Sequence, residues 1–398
     1  MSEVEGMRVL IVCVPQAGHV RPVLPLATAL ASRDAEVLMA SGPGARDIAS
    51  GAGLAFRSIT PDLDVWFGRL AERTRGRPGD GLPPEHVERY FVPRLFAEVG
   101  LDAMLDGLDE AVRDFAPDLL VYEPFSFAAP LVAALHGVPA VRHTIGLPLD
   151  PLVVDLSSDA VTPAWRAAGR AAPTAAGWYD GLTLDICPPT LVGAVHPPAS
   201  RVQPLRPAPL PDRTAELPVT LPHRGRPLVY VTLGTFANSD LELFRLILAA
   251  LAALPVDVLV TAGDDAAVAA LGEVPANAVV TGFVPQAAIL PHCAAVLHHA
   301  GAGTTFGLLA HGLPSVALPQ SADNFSIARR LGSSGAAAVL MPGEVTVDSV
   351  RAAARQVLAD PTYRQAAERI AAEIAAMPGP AEVVATLRPT TTREEALR

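Results

Sequence analysis

The run LHHAGAGTTFGLLAHGLP, from Leu297 to Pro314, sets two histidines and a Gly-Ala-Gly-Thr-Thr turn between an apolar run and a helical pattern. A helix N-terminus offers unpaired N–H groups and the positive end of the helix dipole, which together make an anion site. Gly301 and Gly303 let the backbone approach a phosphate closely. Thr304 and Thr305 add hydroxyl donors, and His299 adds another donor or a positive charge. A diphosphate is held this way without lysine or metal. VTLGTFANS repeats the idea on a smaller scale, with Gly234 and Thr235 after an apolar run.

A second pair of groups suits proton transfer. His19 follows LIVCVP and a Gly-containing turn, at the start of a helical pattern with Leu24, Leu26 and Leu30. Near neutral pH imidazole is the natural proton carrier. Glu123 closes the apolar run of PDLLVYE. A carboxylate beside an imidazole fixes its tautomer and stabilises the imidazolium formed on proton uptake. If the two runs are neighbouring strands, His19 and Glu123 form a base with its orienting partner. A capping or solvent-facing His19, and a Glu123 that caps the next helix, stay open as competing readings.

These side chains need a scaffold that gathers strand ends. Short apolar runs alternate with Ala/Leu-rich helical runs: RVLIVCV, AEVLMAS, PDLLVYE and PAVRHT in the first half, PLVYVTL, VDVLVTAG, AVVTGF, AAVLHH and PSVALP in the second. Continuous apolarity predicts strands covered on both faces, and intervening helices predict βαβ units with parallel sheets. The alternation breaks twice. Residues 61–95 contain RTRGRPGDGLPPEH and read as a surface loop. Residues 197–227 are Pro-rich and read as a linker between two doubly wound domains.

Composition narrows the chemistry. The chain has 398 residues, half of them hydrophobic, enough for two domains with cores. All 30 basic residues are arginine, which excludes a Walker-A lysine and a pyridoxal-phosphate Schiff base. A net charge of −11 without a basic cluster argues against nucleic acid and anionic membrane. Cys13, Cys187 and Cys293 are too far apart for a disulfide framework or a CxxC metal site. The N-terminal run lacks a basic n-region, and Pro255 and Asp257 interrupt the longest apolar stretch, so a cytoplasmic protein without a membrane span is expected.

Two rival motifs are weak. Gly301, Gly303 and Gly307 give GxGxxxG, not the dinucleotide fingerprint, although Asp323 lies twenty residues beyond Gly303. The DLD tripeptide at 62–64 matches a short metal-binding pattern that arises easily by chance.

Together these residues resemble the glycosyltransferases of the GT-B fold, which use two facing Rossmann-like domains. The nearest likeness is to the inverting family-one enzymes that decorate bacterial natural products such as polyketide and enediyne antibiotics. It is strongest over residues 281–331, TGFVPQAAILPHCAAVLHHAGAGTTFGLLAHGLPSVALPQSADNFSIARRL. The resemblance implies an acceptor-binding domain over 1–205, a linker over 206–226, a nucleotide-sugar domain over 227–379, and a tail over 380–398 that crosses back onto the first domain. It implies His19 as general base with Glu123 as partner. His299, Gly234, Thr235, Gly301, Gly303 and Thr304 would hold the donor diphosphate. Phe283, Val284 and Gln286 would lie along base and ribose, and Asp323 and Asn324 would face the sugar. Trp66, Phe67, Tyr90, Phe91, Phe125 and Phe127 supply apolar surface for an acceptor.

The chain departs from the family pattern in four places. Phe283 stands where many relatives have Trp, Asn324 where many have Gln, and Glu123 where Asp is common. Gly307 stands where uridine-diphosphate users often carry a Glu that binds both ribose hydroxyls. A donor without the 2′-hydroxyl loses less by that absence, which favours a thymidine-diphosphate deoxysugar over a uridine one. The expected partners are therefore a nucleotide sugar as co-substrate, with no separate cofactor or metal, and a small apolar aglycone. A homodimer is left open. The rival functions are a catalytically silent helper of another transferase and a sugar-nucleotide epimerase on the same fold.

Overall fold

The computed structural model describes residues 4–75, 82–172, 175, 181–193, 201–207, 217, 219–222, 225–234 and 240–387. The chain divides into two compact units. The first takes Met1–Cys187, Val192–Arg206 and the chain from Met377 onward; the second takes Pro188–Leu191 and Pro207–Ala376. Among the described residues no helix is long and apolar enough to cross a membrane.

The first unit is built on β1 (Arg8–Val12), β2 (Glu36–Ser41), β3 (Ala55–Ser58), β4 (Leu119–Tyr122), β5 (Ala140–His143), β6 (Leu182–Asp185) and β7 (Arg201–Pro204). Their order is β3-β2-β1-β4-β5-β6-β7, and every pairing is parallel. The second unit holds β8 (Leu228–Thr232), β9 (Asp257–Thr261), β10 (Ala278–Thr281), β11 (Cys293–His298), β12 (Ser315–Ala317) and β13 (Ala337–Val339), in the order β10-β9-β8-β11-β12-β13. These pairings are parallel as well. Both sheets are doubly wound. Each reverses direction at one place, β1/β4 and β8/β11, where such sheets bind ligands beyond the strand ends.

The strands that the apolar runs predict are all present, and β3, β6, β7 and β13 are additional. Those four are three or four residues long and sit off the centre of their sheets, where AFRS and RVQP carry too many polar residues to read as continuous apolar runs.

Residues 61–95 differ from expectation. They carry the helices Leu63–Thr74 and Pro84–Phe91, and the latter runs on through π-helical turns, Val92–Gly100, into the helix Leu101–Phe115. Glycine and proline between the first two helices obscure two amphipathic patterns, the first of which buries Trp66 and Leu70. Asp62 of the DLD tripeptide has a backbone task, accepting a hydrogen bond from the Gly44 N–H at 2.8 Å.

The core of the first unit joins Leu10, Val12, Leu120 and Tyr122 of the sheet to Trp66, Leu70, Met104, Leu108 and Val112 of the helices. Fully burying each such aliphatic side chain contributes about 1.5–3 kcal/mol. The return of the chain at Met377 belongs to this unit. There the helix Pro380–Thr386 packs against the helix Leu24–Ala31, Arg33 donates to the Ala381 carbonyl at 3.2 Å, and the Arg206 N–H donates to the Pro378 carbonyl at 2.9 Å.

Gly107 marks a close approach of the helix Leu101–Phe115 to the chain just after β3. A Cβ there would meet the Ile59 carbonyl oxygen and lie 2.8 Å from the Ile59 carbonyl carbon. That backbone has no flexible tip to move aside. Gly107→Ala should destabilise the first unit by roughly 1–3 kcal/mol, read as a lower urea midpoint of the transition that reports on it.

Candidate active site

In the first unit, β1 runs into Cys13 and Val14, and the chain then turns into the short helix Ala17–Val20 that carries His19. The Gln16 carbonyl holds this turn by accepting from the His19 and Val20 N–H groups at 2.9 and 3.0 Å. β4 lies beside β1, with Val12 opposite Tyr122, so Glu123 emerges next to that turn. His19 and Glu123 meet, Nδ1 to Oε2, at 3.1 Å.

Glu123 is an acceptor on all sides. Oε1 accepts from the Val14 N–H at 3.1 Å and from Ser126 Oγ at 2.7 Å. Oε2 accepts from the Phe125 N–H at 3.0 Å as well as from His19. A carboxylate so placed takes hydrogen bonds and gives none. The His19 proton therefore sits on Nδ1, and Nε2 carries the free lone pair. The Glu123 side chain is 0% exposed and that of His19 12%, so the imidazole is the part of the pair that reaches the surface.

Two neighbouring groups share this corner without sharing the role. Burial, then the Glu123 charge, pushes the Cys13 thiol well above its ordinary range, so it stays a neutral thiol. His143 is fully buried. Its Nδ1–H donates to the Thr144 carbonyl at 2.7 Å, and burial pulls its pKa down to about 4. Of these three, His19 is the one that combines the carboxylate contact with access.

Aromatic rings frame His19. Phe125 lies edge-on at 5.2 Å between centroids and Phe96 at 5.8 Å, with Phe96 and Phe125 5.0 Å apart. Phe96 was not anticipated, because it lies in the π-helical turns of the stretch that reads as a loop. The other aromatic expectations divide. Phe67 and Phe91 pair edge-on at 6.1 Å and are only partly buried, and Tyr90 adjoins Phe91. Trp66 is a correction: at 0% exposure it is core, with its indole N–H donating to Thr60 Oγ1 at 3.1 Å. Phe127 is also buried core and offers no surface.

In the second unit the same construction recurs at β8 and β11. His298 pairs with Thr232 across the two strands, so Gly234 and His299 leave the sheet side by side. A Cβ on Gly234 or on Gly301 would meet the His299 ring, so these two glycines form its walls. Thr235 lies outside the described residues. Ala300 is held in the left-handed region at φ 65°, unusual for a residue with a Cβ. Gly301 then caps the helix Ala302–Ala310. The first intrahelical bond is Thr305 N–H to the Gly301 carbonyl at 2.9 Å, which leaves the earlier N–H groups facing outward. A Cβ on Gly303 would meet nothing within 4 Å, so open space lies over the first turn.

The two adjacent histidines have separate tasks. His298 is buried. Its Nδ1 accepts from the Ala300 N–H at 3.2 Å, so its Nε2–H is the donor to Ser315 Oγ, also at 3.2 Å. His298 thus holds the turn in shape. His299 Nδ1 is buried without a partner among the described residues. Burial pulls the His299 pKa down to about 4 and that of His298 to about 3. Burial thus works against the positive charge that the sequence leaves open to His299, and the ring also hydrogen-bonds with the Thr232 backbone.

Around this turn, Gln286 Nε2 donates to Thr304 Oγ1 at 3.0 Å. Phe283 is 63% exposed, the most exposed large apolar side chain described, and Val284 beside it is half-buried. Asp323 precedes the helix Asn324–Ser334 and is half-buried. Asn324 is a correction. It is buried, and its amide nitrogen donates to the His299 carbonyl at 3.2 Å and the Ser321 carbonyl at 3.0 Å, so it ties two loops together and faces inward. Among the described residues no three His, Cys, Asp or Glu side chains stand grouped as metal ligands.

Comparison with known proteins decides the family. The chain matches the N-terminal domain of erythromycin biosynthesis protein CIII-like proteins over residues 87–192 and their C-terminal domain over residues 245–389. It is 32% identical to L-demethylnoviosyl transferase of Streptomyces niveus, over 95% of this chain and 96% of that one. The chain belongs to the natural-product glycosyltransferases of the GT-B fold. The elloramycin glycosyltransferase ElmGT of Streptomyces olivaceus is 31% identical over 96% of this chain and 97% of its own. The structure of the Streptomyces sp. SF2575 glycosyltransferase SsfS6 complexed with thymidine diphosphate superimposes with a TM-score of 0.73 and 28% identity, covering 95% of this chain and 98% of that one. As a glycosyltransferase, the enzyme carries at its two switch points the residues described above.

The buried histidines give the enzyme an acid-sensitive fold. In the unfolded chain they protonate near 6.5; in the folded chain His143 and His299 protonate only near 4 and His298 near 3. Between those values the unfolded state binds more protons, so stability present above pH 6.5 is lost as pH falls toward 4. His298→Asn removes one of these groups. Its urea-unfolding free energy should start lower than that of the wild type and fall less steeply between about pH 6.5 and about pH 4.

Proposed function

We propose that this glycosyltransferase moves a deoxysugar from a thymidine-diphosphate donor to a hydroxyl of an apolar natural-product aglycone, with inversion at the anomeric carbon. The observation that carries the reading is the contact of His19 Nδ1 with Glu123 Oε2 at 3.1 Å. With Nδ1–H given to Glu123, Nε2 is a base for an acceptor hydroxyl. The acceptor oxygen attacks the anomeric carbon as the bond to the diphosphate breaks. The proton goes to Nε2, and Glu123 stabilises the imidazolium that results. An α-linked donor becomes a β-glycoside. The diphosphate leaves with added negative charge, against the first N–H groups of the helix Ala302–Ala310 and the Thr304 hydroxyl. Each of these donates a hydrogen bond where charge develops, and the rings of Phe96 and Phe125 keep an apolar surround at the base.

Three observations support the thymidine preference. SsfS6 is described with thymidine diphosphate bound. Gly307 brings no carboxylate to a ribose 2′-hydroxyl. The space at Gly307 is not closed either, since a Cβ there would lie in ordinary contact, 3.4 Å from Leu290 Cδ1. The absence of a side chain at 307 is therefore not forced by packing. The assembled pair of His19 and Glu123 weighs against a silent helper, which has no use for a base.

Isothermal titration with thymidine diphosphate and with uridine diphosphate tests the donor: tighter binding of the thymidine nucleotide is expected, and the reverse order would remove the Gly307 argument. Gly307→Glu should narrow or reverse that preference. His19→Ala should lower turnover by about 10²- to 10⁴-fold with little change in nucleotide affinity. With an α-linked donor, the coupling constant of the anomeric proton in the product should report the β configuration, and an α product from that donor would exclude single displacement.

A further inference from the structure

One peptide in the turn after β11 is held at both ends by side chains. The Ala300 N–H donates to His298 Nδ1 at 3.2 Å. The carbonyl of the same peptide, that of His299, accepts from the Asn324 amide nitrogen at 3.2 Å. Both side chains are buried, His298 at 0% and Asn324 at 6% exposure. The peptide is trans, so its N–H and C=O point opposite ways and the two anchors hold it from opposite sides. His298 keeps Nδ1 available for this task because its Nε2–H is given to Ser315 Oγ.

The residue that follows this peptide needs holding. Ala300 stands at φ 65°, where its Cβ crowds the backbone. A half-turn of the His299–Ala300 plane would carry Ala300 out of the left-handed region and relieve that crowding. It would also swing the N–H away from His298 and the carbonyl away from Asn324. The cost of left-handed backbone to a residue with a Cβ and the worth of one hydrogen bond are of the same size, so both anchors are needed to keep the strained form dominant. The turn they preserve leads through Gly301, beside the His299 ring, into the first N–H groups of the helix Ala302–Ala310. The Asn324 nitrogen also donates to the Ser321 carbonyl at 3.0 Å, which fixes the anchor itself to the turn after β12.

We propose that Asn324 is a positioning residue for the donor diphosphate: with His298 it pins the His299–Ala300 peptide at both ends and keeps the turn in the form that the phosphates meet. This rests on the donor-site reading given above. In this role Asn324 acts through the backbone of the neighbouring turn, not by touching the sugar. The two roles separate cleanly. A sugar contact is felt only by a nucleotide sugar, whereas the peptide anchor is felt by the free nucleoside diphosphate as well.

The test is isothermal titration with thymidine diphosphate, which carries no transferable sugar, and with thymidine-diphosphate glucose. Asn324→Leu keeps the size of the side chain and removes the amide. It should weaken both ligands by the same factor, about three- to tenfold, the scale of one hydrogen bond. Ala300→Gly removes the Cβ that makes the left-handed form costly. In that background Asn324→Leu should alter thymidine diphosphate binding by less than about twofold. His298→Leu takes away the other anchor and should show the same dependence on residue 300. Asn324→Ala repeats the comparison with a smaller side chain, for the case in which leucine does not fit the buried site. A loss confined to thymidine-diphosphate glucose would make Asn324 a sugar contact and overturn the proposal. Equal losses in the Ala300 and Ala300→Gly backgrounds, or no loss with either ligand, would overturn it too, and all three results would leave the donor site intact. A wild-type protein that binds neither thymidine nor uridine diphosphate would overturn the donor-site reading and this proposal with it.

Discussion

Two parallel strand pairings, β1 with β4 and β8 with β11, decide which polar side chains of this enzyme are brought together at the strand ends. At each, the order of the sheet reverses, and the connections leave the strand ends on opposite sides. Side chains that follow those strands are drawn together across one inter-strand spacing. Glu123 comes beside the turn of His19 in one unit, and Gly234 beside His299 in the other. Parallel pairing also means that all strand ends of one kind share one edge. The polar groups needed for binding then gather at that edge without interrupting the apolar strands beneath.

Burial sorts four histidines of similar intrinsic chemistry into three tasks. His143 and His298 have no route to solvent, are held neutral, and spend their donors on Thr144 and Ser315. His299 is nearly as buried, and its Nδ1 has no partner among the described residues, beside the turn that starts the helix Ala302–Ala310. His19 alone has both a carboxylate and access. Residue type does not separate these tasks. The donors and acceptors within three ångströms or so of each ring do, because an imidazole whose one N–H is already committed is left with a lone pair and nothing else to offer.

Much of this was readable from the sequence, and the reason is physical. A polar residue that ends an unbroken apolar run must sit where the sheet meets solvent or ligand, so His19, Glu123, Gly234, His299 and Thr304 stand out as a class. What the sequence does not carry is which polar group faces inward. Asn324 follows a loop, as a ligand contact would, yet its amide is spent on two carbonyls. Trp66 and Phe96 lie in helices that Gly and Pro nearby disguise as loop, and the packing of the sheet against those helices sends Trp66 into the core and Phe96 to His19. The short outer strands β3, β6, β7 and β13 take their conformation from neighbours already in place, a tertiary effect that local pattern cannot register.

The return of the chain at Met377 bears on how the protein is made. The second unit is complete in sequence once Ala376 has been added, whereas the first, begun with β1, still lacks the helix that covers Leu24–Ala31. Val383, Val384 and Leu387 are buried in the finished unit, so until they emerge from the ribosome the apolar face they cover stays open to water. On a ribosome that adds roughly 5–20 residues per second, that interval lasts on the order of tens of seconds. In chain order the unit that carries His19 is begun before the unit that carries His299, yet the latter can be finished first.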